Sequence, residues 1–88
     1  MAWYVYILQC ADNSLYTGCT SDLSRRLKSH QSGKGSKYTR SRLPVLLAYW
    51  EEVQDRSAAL KREAAIKHLS REEKLALLSD YMKHRLGK

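Results

Sequence analysis

A chain of 88 residues with one proline has room for a single compact domain with a modest core, so a shallow groove is expected and a large enclosed pocket is not. The opening MAWYVYILQC has no positive n-region and too short an apolar run for a signal peptide or a membrane span, and Cys10 and Cys19 match no zinc or redox spacing; the expectation is a cytoplasmic protein with free thiols. The net charge is +7, and its placement matters more than its size: no acid occurs between Asp22 and Glu51, where seven of the 16 bases fall, and the other nine bases balance the nine acids.

Residues 3–10, WYVYILQC, are β-branched, aromatic and aliphatic and predict a strand. ADNS supplies turn chemistry, and LYTGCT at 15–20 predicts the returning strand of a hairpin. Thr20, Ser21 and Asp22 are each suited to cap a helix over 22–32. A basic loop with glycine hinges follows over 32–44, closed by Pro44. VLLAYWEEV at 45–53 predicts a third strand, whose unbroken apolar start implies burial on both faces at the centre of the sheet. Asp55 or Ser57 starts a second helix, and Ser70 with Glu73 forms a capping box for a third over 71–84. In that last helix Leu75, Leu78 and Met82 form a stripe expected to face the core. The order ββαβαα predicts an α+β, sandwich-like fold: a small three-stranded, largely antiparallel sheet flanked by three helices. One domain over 1–84 with a tail at 85–88 is expected.

Two helices carry polar residues where apolar ones belong. On the first, Leu23 and Leu27 define the inner stripe; His30 projects within it, Arg26 flanks it, and Arg25 and Lys28 point toward solvent. An inward arginine is costly unless an anion meets it. On the second, Glu63 falls in the arc marked by Ala59, Leu60, Ala64 and Ile66. Such a carboxylate can neutralise by a raised pKa, pair with Arg26, hold a cation, or make an exposed bridge to Lys67 one turn on. On the hairpin, Tyr4 and Tyr6 share one face and Val5 and Ile7 the other. Tyr6 and Tyr16 either pack as good strand formers or present phenols toward Arg26 and His30, with the basic segment lowering the phenol pKa.

The segments YVY (4–6) and YTG (16–18), with Arg26, His30 and Glu63, resemble the GIY-YIG nuclease superfamily, and in particular its small single-domain members. The run YTGCTSDLSRRLKSHQSGKGSKYTR and the later ALKREAAIK extend the resemblance over roughly residues 3–80. It implies metal-dependent hydrolysis of DNA phosphodiesters by an endonuclease, with Mg²⁺ or Mn²⁺ as cofactor and a role in DNA repair or recombination. Tyr6 and Tyr16 then correspond to the motif tyrosines, Arg26 to the phosphate-contacting arginine, His30 to the base-assisting position, Glu63 to the metal ligand and Gly18 to the motif glycine. Tyr4 and Val5 stand where the first triplet has glycine and isoleucine, and Thr17 where the second has isoleucine.

The chemistry agrees with that assignment. A guanidinium matches phosphate oxygens and stays charged, and one carboxylate with water suits Mg²⁺. Tyr6 with His30 beside it is the candidate general base, and which of the two takes the proton is open. Gly18, Lys28, Lys34, Lys37, Tyr38, Arg40 and Arg42 are the expected nucleic-acid contacts, gripping phosphates without reading bases. The partner is DNA, RNA being an open alternative, with no membrane. The competing reading is a nucleic-acid-binding module with a degenerate catalytic site.

Overall fold

The computed structural model describes residues 2–86. Strands β1 (Trp3–Gln9) and β2 (Leu15–Thr20) form an antiparallel hairpin. Its turn is built as ADNS implies: Asp12 Oδ1 accepts from the Ser14 N–H at 3.0 Å, and Asn13 takes a left-handed φ of 69°, which asparagine tolerates. Helix α1 (Leu23–Gln31) follows, capped by the Asp22 carboxylate. Within the expected loop lies one turn of helix, α2 (Lys37–Arg40), capped by Ser36. Strand β3 (Leu46–Val53) returns antiparallel to β1. Helix α3 (Arg56–Lys67) is capped by Asp55 rather than Ser57. Before α4 (Arg71–Leu86) the capping box is present, with the Ser70 N–H donating to Glu73 Oε1 at 2.9 Å and the Glu73 N–H to Ser70 Oγ at 3.1 Å. The order ββαβαα therefore holds, with α2 as an added turn and α4 running past 84. Of the expected tail at 85–88, residues 87 and 88 lie outside the described residues.

The sheet order is β2-β1-β3, so β1 is central and the expectation for β3 is corrected. β1 is buried on both faces because both faces are large and apolar once phenol rings count as core: Val5 and Ile7 on one side, Tyr6 and Leu8 on the other. β3 lies at an edge, and Leu46 is 64 % exposed. Helices α3 and α4 cover the Val5–Ile7 face, where Ala59 and Ile66 are fully buried and Leu69, Leu77, Leu78 and Tyr81 pack around them. The α4 stripe is thus Leu77, Leu78 and Tyr81; Leu75 and Met82 are exposed, since only one arc of an isolated edge helix meets the sheet. Helix α1 covers the other face, its Leu23 and Leu27 packing with Tyr6, Leu8, Cys10 and Val45. α3 lies along β2, so α1 and α3 cover opposite faces of the sheet.

Candidate active site

The centre of the site is a phenol and an imidazole held inside the protein. Tyr6 stands opposite Gly18 in the hairpin register, and its ring lies over that glycine. A Cβ at position 18 would fall 2.6 Å from the Tyr6 hydroxyl oxygen, so no other residue fits without moving the phenol. Gly18 therefore makes room for Tyr6 itself. The hydroxyl lies 3.0 Å from His30 Nε2. His30 comes from the last turn of α1 and is 1 % exposed; Tyr6 is 3 % exposed. The Tyr16 ring packs against the imidazole at 5.2 Å between centroids.

The far side of His30 is closed by the basic loop. Its Nδ1 is 2.8 Å from Thr39 Oγ1, and Thr39 is fully buried on α2. Gly35 lies so close that a Cβ there would stand 2.3 Å from Nδ1. Gly33, with φ 84°, is the turn glycine; Gly35 serves as a packing surface. Burial, and then the Arg26 charge, lower the His30 pKa, so the ring is neutral near pH 7. The expectation for the phenol is corrected. The Tyr6 pKa is raised well above that of a free tyrosine, by burial first and Tyr16 next; Arg26 pulls the other way and does not prevail. In a buried pair the low dielectric penalises phenolate more than nearby positive charge relieves it.

Glu63 approaches from α3 along the β2 edge. Its side chain is 17 % exposed; the Cys19 thiol donates to Oε1 at 3.1 Å and the Lys67 ammonium lies 2.8 Å from Oε2. Burial pushes this carboxyl up, but the Lys67 and Cys19 hydrogen bonds outweigh it and hold the pKa below the usual carboxylate range. The Cys19 thiol is pushed up to about 11, by burial first and by Glu63 second, and stays a protonated donor. The bridge to Lys67 and the half-buried carboxylate, alternatives on the sequence, are one arrangement.

Arg26 is exposed and borders a cavity of about 310 Å³ lined also by Thr20, Ser21, Asp22, Arg25 and Ser29. No described side chain pairs with its guanidinium, which corrects the expectation of an inward arginine. Arg25 borders the same cavity instead of pointing away from it. The Arg26 charge acts on both Tyr6 and His30. The Glu63 charge also reaches Tyr6. Arg26 and Glu63, on helices covering opposite sheet faces, thus act on one phenol. Tyr6, Tyr16 and His30 are in direct contact.

Of the expected nucleic-acid contacts, Lys28, Lys34, Lys37 and Arg40 are exposed and make no ion pair among the described residues. Arg42 differs. It pairs with Asp12 at 3.0 Å, donates to the Tyr38 carbonyl at 3.0 Å, and lies 3.9 Å over the Tyr38 ring. It is a brace for the loop, and Tyr38, stacked also against Tyr16 at 5.8 Å, extends the ring cluster outward. The i, i+4 spacing pointed to Lys67 as a partner of Glu63, and the bridge is present. The residues that sequence reasoning missed are Ser36, Gly35, Thr39 and Cys19, which read locally as loop polar groups, hinge and strand filler and carried no spacing signal.

The chain as a whole is similar to known proteins. The family model described as the GIY-YIG catalytic domain matches residues 2–76, and the chain belongs to that family. The family is one of endonuclease-like hydrolases, generally dependent on a divalent metal, so the domain is of nuclease type and implies a nucleic-acid substrate. A UPF0213 protein of Streptococcus sanguinis is 53 % identical over 77 residues, covering 88 % of each chain. Another, from Haloquadratum walsbyi, is 52 % identical over 77 residues, covering 88 % of this chain and 86 % of its own. The solution NMR structure of a UPF0213 protein from Bacillus halodurans aligns with a TM-score of 0.59 at 49 % identity, covering 90 % of this chain and 84 % of that one. A solution NMR structure from E. faecalis aligns at 0.63 and 42 % identity, covering 93 % and 88 %. No helix among the described residues is long and apolar enough to cross a membrane.

Proposed function

We propose that the domain, over residues 1–84, is a divalent-metal-dependent endonuclease that hydrolyses DNA phosphodiester bonds. The observation that carries the reading is the 3.0 Å contact between the Tyr6 hydroxyl and a neutral, buried His30, with the opposite charges of Arg26 and Glu63 both acting on the phenol. A neutral imidazole is a competent base near pH 7, and a buried phenol is not. His30 therefore takes the proton of the attacking water through Tyr6: the phenol oxygen receives it as the phenol proton passes to Nε2. The water oxygen bonds to phosphorus, the bond to the leaving sugar oxygen breaks, and that oxygen is protonated from solvent. Arg26, exposed and with no ion-pair partner among the described residues, binds the non-bridging oxygens and stabilises their charge as it grows.

The residues fit a hard cation. Glu63 is ionised, and a carboxylate has about four lone-pair sites, of which Cys19 and Lys67 use two. Among the described residues no three His, Cys, Asp or Glu side chains gather, so Glu63 would share the ion with water and phosphate oxygens, as Mg²⁺ or Mn²⁺ accepts. When bound, the ion supplies Lewis-acid stabilisation of the phosphoryl and leaving oxygens. Lys28, Lys34, Lys37 and Arg40 hold flanking phosphates. A place in DNA repair or recombination fits a nuclease that grips backbone without reading sequence.

The test is a plasmid-nicking time course with Mg²⁺ or Mn²⁺, run on the parent and on Glu63→Gln with matched thermal melts. Nicking by the parent, its suppression by EDTA and its collapse in a folded Glu63→Gln protein are expected. DNA binding without cleavage of any DNA or RNA tested would establish a binding module instead.

A further inference from the structure

We propose that Thr39 is a positioning residue: its buried hydroxyl accepts the His30 Nδ1 proton and so keeps Nε2 bare toward Tyr6. The catalytic consequence rests on the nuclease reading above; the tautomer itself does not.

The direction of the hydrogen bonds follows from where each proton can go. Thr39 Oγ1 lies 2.8 Å from His30 Nδ1, 3.0 Å from Ser36 Oγ and 3.4 Å from the Ser36 carbonyl oxygen, which is an acceptor only. Ser36 Oγ in turn accepts from the Thr39 N–H at 3.1 Å, which holds the single turn of α2 in place. Sending the Thr39 proton to Ser36 leaves its lone pairs for Nδ1–H. A neutral imidazole carries one proton, so Nε2 is then an acceptor and takes the Tyr6 hydroxyl proton at 3.0 Å. The reverse order aims Nε2–H at a phenol whose own proton has no acceptor among the described residues. In the forward order the Tyr6, His30 and Thr39 side-chain donors are all matched, which buried polar groups require.

Three features mark this as a built device. Thr39 and His30 are both essentially sealed from solvent, at 0 % and 1 % exposure. Gly35 lets the loop backbone lie on the ring at a distance no side chain would allow. Lys37 and Arg40 lie on the same turn as Thr39 and are exposed where it is buried, so one element orients the base and offers charge to the DNA backbone. The ring also faces Tyr6 from β1 and Tyr16 from β2, with the Arg26 charge nearby on its own helix.

The test reads the tautomer directly by long-range ¹H–¹⁵N NMR of the His30 ring, alongside cleavage kinetics. The parent is expected to show the Nδ1–H tautomer. Thr39→Val, which keeps shape and removes the hydroxyl, is expected to lose the single tautomer, lower kcat roughly 10–100-fold as loss of a group orienting another's ring does, leave KM nearly unchanged and shift the acid limb of the pH–rate profile. Thr39→Ser is expected to restore all of these. An Nε2–H tautomer in the parent overturns the proposal, as does a Thr39→Val protein that keeps Nδ1–H and the parent kcat. Should Thr39→Val fail to fold, the parent and Thr39→Ser spectra decide, an Nε2–H form in either being fatal. A parent that cuts no nucleic acid defeats the nuclease reading alone, because the tautomer is measured without substrate.

Discussion

The Tyr6 hydroxyl meets His30 Nε2 at 3.0 Å across a sequence separation of 24 residues, with a glycine against each partner. Gly18 lies under the phenol and Gly35 against the imidazole, so the pair is clamped between two stretches of bare backbone. Gly18→Ala would press on it from one end and Gly35→Ala from the other. Each is expected to cost about 1–3 kcal/mol, the usual cost of overfilling a packed site. Both should lower nicking more than they lower DNA affinity. Urea titration and single-turnover kinetics check this; a Gly18→Ala protein as stable as the parent would mean that the Tyr6 ring shifts freely.

His30 makes stability depend on pH in a defined direction. Its folded pKa lies below the unfolded value of about 6.5, by burial and then by Arg26, so below that pH the unfolded chain binds more protons than the folded one. Stability is therefore full above about pH 6.5 and declines as pH falls through it. The Tyr6 phenol that faces His30, its pKa raised by burial, stays protonated in that window. Thermal melts between pH 5 and 8 should show the decline, and His30→Gln should flatten it. An unchanged slope in His30→Gln would assign the decline to other groups.

Arg25 and Arg26 border the same cavity, and the Arg26 charge acts on Tyr6 and His30. Arg26→Ala is expected to lower the single-turnover rate by roughly 10²–10³, as loss of a preorganised charge-stabilising group does. Arg25→Ala should act mainly on affinity. Equal rates for the two variants would remove the special role of Arg26.

The bases of the loop divide into free and engaged. Lys37→Ala and Arg40→Ala should each flatten the salt dependence of DNA binding, by about 0.9 in the log–log slope if each neutralises one phosphate. Arg42→Ala should leave the slope nearly unchanged, because Asp12 already holds that charge, and should instead lower the melting temperature by freeing the loop. Fluorescence anisotropy at several salt concentrations separates the cases, and an Arg42→Ala slope as flat as that of Lys37→Ala would show that Arg42 leaves Asp12 for phosphate.

Local pattern alone specified the hairpin, the capped helices and the residue types of the site. Asp22, Asp55 and the Ser70–Glu73 box are short-range chemistry, and the offsets of Tyr6, Tyr16, Arg26, His30 and Glu63 carried the family. Helical phase also placed His30 on the buried side of α1, with Tyr6 expected beside it. What it could not supply were relationships between segments far apart in the chain. The centre of the sheet went to β1 because its Val5–Ile7 face and its Tyr6–Leu8 face both found cover, and hydropathy, scoring a phenol as half-polar, does not register the second. The state of the Tyr6 proton turned on burial outweighing the Arg26 charge, and burial is a property of the packed whole. Thr39, Gly35 and Cys19 became partners of His30 and Glu63 only when the basic loop folded over α1 and α3 settled against β2, contacts that no spacing within one segment encodes.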